Sequence, residues 1–235
     1  MGEALDPLVL LPGMMCDARL WWSQIATFSR DRAVHVAPLI GGDTVADIAR
    51  MVLNGAPDRF AMAGVGLGGI VAMEVIRRAP DRVARLALLD TNSLAETPQT
   101  AAAREPQIAR VRAGRLADVI RDEMNATCQT PGQDQDEIMD LMLTMARWLG
   151  PDTFIAQSRA MQRRPDQQRT LRQITVPTLV MCGEHDTLCP VRRHEFMADL
   201  IPNARLLVVP EAGHLPMLEQ PGITTRVMGE WLAGW

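Results

Sequence analysis

The chain has 235 residues, 47% of them apolar, and a net charge of −4 from 24 basic and 28 acidic side chains. Such a chain builds one domain, or one domain with an inserted subdomain, around a sizeable core. Because the two signs of charge are mixed without long runs, neither nucleic acid nor an anionic membrane is expected as a partner. The sequence has no lysine and no tyrosine, which excludes a Schiff-base lysine, a P-loop lysine and a catalytic phenol.

The four cysteines lack the C-x-x-C pairing of a zinc or thioredoxin-like site, and they are Cys16, Cys128, Cys182 and Cys189. We expect them to be small buried thiols in a reducing compartment. No basic segment precedes the first apolar run, and that run is too short to span a bilayer. These features predict a cytoplasmic protein that binds no membrane, and no motif suggests a cofactor or a metal.

Short apolar runs bounded by glycine and proline alternate with helical patterns along most of the chain. The first half predicts strands at 8–11, 33–37, 60–63 and 83–89, with helices at 18–28, from 44 to about 53, and from the glycine cluster after residue 63 to about Pro80. The last part predicts strands at 178–182 and 204–209, with helices at 191–200 and 222–232. The strands show no polar face, which is typical of a parallel sheet covered on both sides.

Between residues 93 and 170 the strand-like runs vanish, and alanine, arginine, glutamine, glutamate and methionine dominate. Several prolines interrupt this stretch, which predicts about four short helices. The fold class is therefore α/β, with a mainly parallel sheet of about six strands, helices on both faces and a helical insertion. The predicted core comprises residues 1–92 and 171–235, and the insertion comprises 93–170.

The stretch Gly64-Val65-Gly66-Leu67-Gly68-Gly69 lies between a predicted strand and a predicted helix. It fits the dinucleotide fingerprint G-x-G-x-x-G, in which glycines let a pyrophosphate approach the backbone, and Asp90 follows at about the required distance. It also fits the nucleophile elbow G-x-S-x-G, with glycine in place of the serine. This stretch alone leaves both interpretations open.

Three other stretches lie at strand ends in a suggestive order. Pro12-Gly13-Met14 follows the first strand, with Trp21 shortly after it. Gly183, Asp186 and Pro190 follow the fifth strand, and a Gly213-His214 pair follows the sixth. Together with the glycine stretch, they resemble the α/β-hydrolase superfamily, in its small lid-bearing esterase, lactonase and thioesterase-like branch. The resemblance spans nearly the whole chain, although Pro12 replaces the histidine that is common in the family.

The resemblance implies a role for each of these residues. His214 would be the general base, Asp186 the acid that orients it, and the backbone amides of Met14 and Leu67 the oxyanion hole. Asp90 also ends a strand and is the alternative acid. Of the other histidines, His35 is expected in a strand, His194 on a solvent-facing helix surface, and His185 next to Asp186.

Gly66 departs from the family pattern, because serine is expected there and glycine has no side chain with which to attack. Cys16, Cys189 and Ser93 are poor substitutes, since none of them lies at an elbow. Three explanations stay open: an engineered replacement of serine, a natural member that has lost covalent catalysis, or a mechanism in which His214 activates a water molecule.

The insertion resembles the helical lid of the family, with a core and pocket roof formed by Trp148 and the methionines Met124, Met139, Met142, Met145 and Met161. Met14, Met15, Leu67 and Met217 flank the predicted catalytic groups and suggest an apolar pocket. Arg110, Arg112, Arg115 and Arg121 are expected to form a solvated helix face. The predicted substrate is a small apolar ester, lactone or thioester. A binding protein without catalysis and a dinucleotide-dependent oxidoreductase are the alternatives.

Overall fold

The computed structural model describes residues 5–127 and 135–235. Six strands form one sheet in the order β2-β1-β3-β4-β5-β6, and every neighbouring pair is parallel. The strands are Leu8–Leu11 (β1), Val34–Val36 (β2), Phe60–Val65 (β3), Val83–Leu89 (β4), Thr178–Gly183 (β5) and Ala204–Val209 (β6). The predicted α/β class with a parallel sheet of about six strands is confirmed.

The helices of the described part of the chain follow the predicted alternation. They are Trp22–Phe28 (α1), Val45–Gly55 (α2), Leu67–Arg78 (α3), Pro98–Arg112 (α4), Leu116–Thr127 (α5), Gln135–Gln162 (α6), Gln168–Gln173 (α7), Val191–Leu200 (α8), Pro216–Glu219 (α9) and Pro221–Ala233 (α10). A 3₁₀ turn over Ala18–Trp21 precedes α1, where the sequence predicted one continuous helix. No helix among these is both long and apolar enough to cross a membrane.

The sheet separates two hydrophobic cores, which explains why its strands have no polar face. Along β1, Leu8 and Leu10 belong to one core, whereas Val9 and Leu11 belong to the other. Side chains alternate across a strand, so a strand that is buried on both faces must be apolar throughout. Helices α1 and α10 contribute to the first core, and α2, α3 and α8 contribute to the second.

Helices α4 to α7, here called the inserted helices, all lie between β4 and β5 in the chain. Helix α6 is broken at Gly150, whose φ of 80° and ψ of 170° are not helical. Met124, Met142 and Met145 are buried in the same core as Met15, so the inserted helices pack on the segment after β1. The predicted methionine core is confirmed for these three side chains.

Trp148 is an exception, because its side chain is on the surface and the residue is 80% exposed. The expectation that it belongs to the core of the inserted helices is wrong: Trp148 lies near the break at Gly150, and Met145 is the residue on the buried face there. Cys16, Cys182 and Cys189 are buried, as predicted. Cys128 lies outside the described residues.

Candidate active site

The carboxyl ends of the parallel strands bring the predicted site residues to one edge of the sheet. Gly66 follows β3, Asp90 follows β4, Asp186 lies just beyond β5, and His214 lies beyond β6. In open α/β sheets, ligands bind in the crevice outside this edge. The strand order thus places residues that are far apart in sequence close together in space.

Gly66 is the residue at the turn between β3 and α3, with φ 53° and ψ −116°. Its N–H donates to the carbonyl oxygen of Leu89 at 3.1 Å. Its own carbonyl oxygen accepts from the hydroxyl of Thr91 at 2.7 Å. The positive φ is costly for residues with a side chain and is typical of a strained strand-to-helix elbow.

The other glycines of this stretch are required by close packing. A Cβ on Gly64 would lie 2.4 Å from the carbonyl oxygen of Gly68, and a Cβ on Gly68 would lie 2.2 Å from that of Leu11. A Cβ on Gly69 would lie 2.6 Å from the side chain of Thr91. At Gly66, by contrast, the nearest atom to a Cβ would be Nε2 of His214, at 3.5 Å. Close packing thus explains Gly64, Gly68 and Gly69, whereas Gly66 has space for a side chain.

His214 is held by Asp186. Its Nδ1 lies 2.8 Å from Oδ2 of Asp186, and the two side chains are 12% and 0% exposed. The other oxygen of Asp186, Oδ1, accepts the backbone N–H groups of Leu188 and Cys189, each at 2.8 Å. Burial alone would raise the pKa of Asp186, but the neighbouring His214 and these hydrogen bonds hold that pKa below its ordinary value. A charged Asp186 therefore fixes the imidazole with Nε2 directed at Gly66.

Asp90 lies next to this pair, but Asp186 is the carboxyl group that is hydrogen-bonded to the imidazole. The residue is fully buried, has a φ of 43°, and accepts the N–H of Gly183 on Oδ1 at 2.9 Å. Burial, together with the nearby Asp186 carboxylate, raises the pKa of Asp90 well above its ordinary value. The protonated form of Asp90 is thereby favoured, and the geometry favours Asp186 as the partner of His214.

His194 is buried, which corrects the expectation that it faces solvent. Its Nε2 accepts the backbone N–H of Thr91 at 3.0 Å. Burial lowers the pKa of His194 to about 4, so the ring is neutral at neutral pH. His194 thus supports the segment after β4 that carries Asp90 and Thr91. Nothing in its helical sequence context, beside Arg192 and Arg193, indicated this position.

The segment after β1 is tied to the inserted helices by Gln157. The N–H of Met15 donates to Oε1 of Gln157 at 2.9 Å, and Nε2 of Gln157 donates to the carbonyl oxygen of Leu39 at 2.8 Å. Among the described residues, neither the N–H of Met14 nor that of Leu67 has an acceptor in a turn or a side chain. The two predicted oxyanion donors are thus available, whereas Met15 is committed to Gln157. Sequence reasoning missed Gln157, which is one glutamine among several in a helical stretch.

The apolar side chains expected around these groups are buried. Met15 and Met217 belong to one hydrophobic core and Leu67 belongs to the other. The geometry does not bring Trp148 into this group, because that side chain projects into solvent.

In the part of the chain that the structure describes, two sets of side chains are spaced closely enough to hold a metal ion. Asp186, Cys189 and His214 each offer one ligand atom within 4.8 Å of the others, and so do the exposed residues Glu184, His185 and Glu211. In the first set, the carboxylate and the imidazole are already hydrogen-bonded to each other. That set is therefore explained without a metal, but it brings the Cys189 thiol close to His214.

Comparison with known proteins agrees with this architecture. The model of the alpha/beta hydrolase family matches residues 8–226. The pimeloyl-[acyl-carrier protein] methyl ester esterase of Edwardsiella ictaluri is 28% identical over 238 residues, covering 94% of this chain and 90% of that protein. A solved thermophilic esterase from Thermogutta terrifontis, with malate bound, superposes with a TM-score of 0.88 at 27% identity, covering 97% of this chain and 90% of that one. The enol-lactonase from Burkholderia xenovorans LB400 shares the fold, with a TM-score of 0.87 at 20% identity over 98% of this chain and 92% of that one.

Proposed function

Because this chain belongs to the alpha/beta hydrolase family, we propose that its site is that of a carboxylic ester, lactone or thioester hydrolase from which the nucleophile is missing. Gly66 occupies the position of the nucleophilic serine, and Asp186 and His214 complete the triad. The observation that carries this proposal is the position of Nε2 of His214, 3.5 Å from where a Cβ on Gly66 would stand. A serine side chain at residue 66 would begin within reach of its base.

With a serine at this position, the chemistry would follow the usual two steps. In the first, Nε2 of His214 would take the hydroxyl proton while the serine oxygen bonds to the ester carbonyl carbon, and the alcohol would leave with that proton as the acyl-serine forms. In the second, His214 would take a proton from water as the water oxygen bonds to the acyl carbon, and the serine oxygen would recover that proton as the acid is released. Asp186 would stabilise the imidazolium. The amides of Met14 and Leu67 would donate to the oxygen that becomes negatively charged.

In the present chain, a water molecule replaces the serine hydroxyl. His214 removes a proton from water as the water oxygen bonds to the carbonyl carbon, and the departing alcohol then takes that proton. Binding and oxyanion stabilisation alone retain about 10³- to 10⁴-fold catalysis over water in a protease that lacks its triad. We therefore expect slow, non-covalent turnover rather than ordinary esterase activity.

In this proposal residues 93–170, which include α4 to α6 and the start of α7, form a lid, and the remaining residues form the hydrolase core. The support is that Met142 and Met145 share a buried core with Met15, which follows the proposed oxyanion donor Met14. Relatives named as methyl ester esterases and an esterase with bound malate support an ester as the substrate class.

A second function is favoured by Gly66 itself, namely ligand binding without turnover. A positive φ suits glycine, so loss of the serine leaves the elbow intact and even relieves its strain. A site of this kind would keep its pocket and its oxyanion donors but release the ester unchanged.

Steady-state hydrolysis of p-nitrophenyl esters separates these functions. The unmodified chain, Gly66→Ser and Gly66→Ala are assayed side by side, with Gly66→Ala controlling for the added Cβ. Hydrolysis by Gly66→Ser far above that by Gly66→Ala supports the hydrolase proposal. Equal, background rates in all three proteins would favour the binding function.

A further inference from the structure

Two arginines lie against the proposed site and share a single carboxylate. Arg104 of α4 donates to Glu96 through Nε at 2.9 Å and Nη2 at 2.6 Å. Arg164, which follows α6, donates to the same Glu96 oxygen through Nη1 at 3.3 Å and to the carbonyl oxygen of Leu94 through Nε at 2.9 Å. The side chains of Glu96, Arg104 and Arg164 are only 1%, 15% and 9% exposed.

Two guanidinium groups share the single carboxylate of Glu96. Glu123 is a further acid whose charge acts on Arg104, and it accepts from the side-chain amide of Gln107. Both arginines thus make their ion pairs with Glu96, and a bound anion would give them a second charged partner.

The positions of the two arginines connect them to the catalytic groups. Nη1 of Arg104 lies 4.0 Å from Sδ of Met14, the residue whose amide is the proposed oxyanion donor. Arg164 lies near Cys189, and Sγ of Cys189 lies within 4.8 Å of a ring nitrogen of His214. The two guanidinium groups thus border the site from the segment after β1 and from the segment after β5.

Both arginines have hydrogen-bonding capacity left. Each guanidinium has five N–H groups. Among the described residues, the oxygen acceptors of the pair are Glu96 and the carbonyl of Leu94. Nη1 of Arg104 contacts only a thioether, which is a weak acceptor. A planar guanidinium with free N–H groups is well suited to a carboxylate.

We propose that Arg104 and Arg164 bind a carboxylate of the substrate, so that the substrate is an ester of a dicarboxylic acid with one free carboxylate. The inference rests on the proposed function, and it refines the expectation of a purely apolar ester. Glu96 holds the two guanidinium groups apart and in place. The buried methionines contact the short chain that separates the carboxylate from the ester carbonyl.

Calorimetric binding of monomethyl adipate and dimethyl adipate to the unmodified chain tests this subsite. Because turnover without the nucleophile is expected to be slow, little of either ester is hydrolysed during the titration. The two ligands differ in one negative charge, and we expect the monoester to bind about tenfold more tightly, the effect of one charged hydrogen bond. Equal affinity for the two esters, or no binding of either, would overturn the proposal.

Substitutions of Arg104 and Arg164 test whether these two arginines cause the preference for the monoester. We expect Arg104→Gln and Arg164→Gln to lose the preference, and Arg110→Gln to keep it, because Arg110 lies on the same α4 but pairs with Asp122. Should the glutamine variants fail to fold, Arg104→Lys and Arg164→Lys retain the charge and are expected to retain part of the preference. A preference that is unchanged in both glutamine variants, or lost in Arg110→Gln, contradicts the assignment.

Failure of the carboxylate subsite can be distinguished from failure of the proposed hydrolase function. Hydrolysis of neutral p-nitrophenyl butyrate by Gly66→Ser does not depend on the carboxylate subsite. Activity on that ester with no preference for the monoester would refute only the subsite. Preference for the monoester without any hydrolysis by Gly66→Ser would refute only the hydrolase proposal.

Discussion

Nε2 of His214 points at Gly66, 3.5 Å from the position that a Cβ there would take. On its other side, Nδ1 of the same ring is fixed by Asp186 at 2.8 Å. Base and acid are therefore in position around a residue that has no side chain. This relationship leads to predictions about the elbow, the acid, the buried histidine and the segment after β1.

Replacing Gly66 by alanine tests the strain in the elbow. We expect Gly66→Ala to lower the free energy of unfolding by about 1 kcal/mol, because φ is positive while the space for a Cβ is open. Gly68→Ala is the contrasting variant, since its Cβ would meet the carbonyl oxygen of Leu11 at 2.2 Å, and it should cost at least about 3 kcal/mol. Urea unfolding measures both. Equal losses of unfolding free energy would contradict the expectation that a Cβ has space at Gly66 but not at Gly68.

The two carboxyl groups can be distinguished in the Gly66→Ser background. We expect Asp186→Asn to reduce kcat by about 10⁴-fold, because an amide at Nδ1 of the ring favours the wrong tautomer. Asp90→Asn should leave kcat close to that of the parent, since burial favours the neutral form of Asp90 and an amide oxygen can still accept the N–H of Gly183. The opposite pattern of losses would make Asp90 the acid of the triad.

The pKa of His194 makes a prediction about stability and pH. Because burial lowers that pKa to about 4 from the 6.5 of an unfolded chain, protonation favours the unfolded state. The contribution of the neutral His194 ring to the free energy of unfolding is complete above pH 6.5. It is lost as the pH falls towards 4, by about 3 kcal/mol in total. His194→Gln keeps an acceptor for the N–H of Thr91 but cannot titrate. The free energy of unfolding of the unmodified protein should therefore fall relative to that of His194→Gln as the pH falls through this window, and a constant difference would be inconsistent with a buried neutral His194.

Gln157 gives a prediction about the coupling of the inserted helices to the site. Gln157→Leu leaves the N–H of Met15 and the carbonyl of Leu39 without their side-chain partner, which should cost about 1–3 kcal/mol for each buried group. In the Gly66→Ser background we also expect a lower kcat, because Met15 adjoins the proposed oxyanion donor. The control variant Gln99→Leu, at an exposed glutamine of α4, should change neither quantity. A normal kcat in Gln157→Leu would show that this segment does not need the glutamine for its position.

The sheet and its active edge were predictable because parallel strands share one direction. Once the strands before Gly66, Asp90, Asp186 and His214 are recognised, their carboxyl ends must meet at the same edge. Predictions for single side chains on helices were less successful. His194 and Trp148 were assigned to the wrong environments, because a helix with mixed composition does not reveal which face is buried.

Contacts between distant segments were beyond the reach of the sequence. The shared carboxylate of Glu96, between Arg104 and Arg164, depends on how the inserted helices return to the loop after β4. The sequence drew attention to other arginines, of which Arg110 and Arg121 lie on the surface and pair with nearby aspartates. Buried ion clusters are set by tertiary packing, for which local patterns carry no signal.

Pre-steady-state release of p-nitrophenolate from Gly66→Ser tests the central claim most directly, namely that residue 66 is the nucleophile position served by His214. We predict a burst stoichiometric with the protein, followed by slower turnover, as an acyl-enzyme accumulates. The burst should be absent from Gly66→Ala and from the double variant Gly66→Ser with His214→Ala. A folded Gly66→Ser protein that gives no burst and no hydrolysis, or a burst that survives the loss of His214, would contradict the assignment.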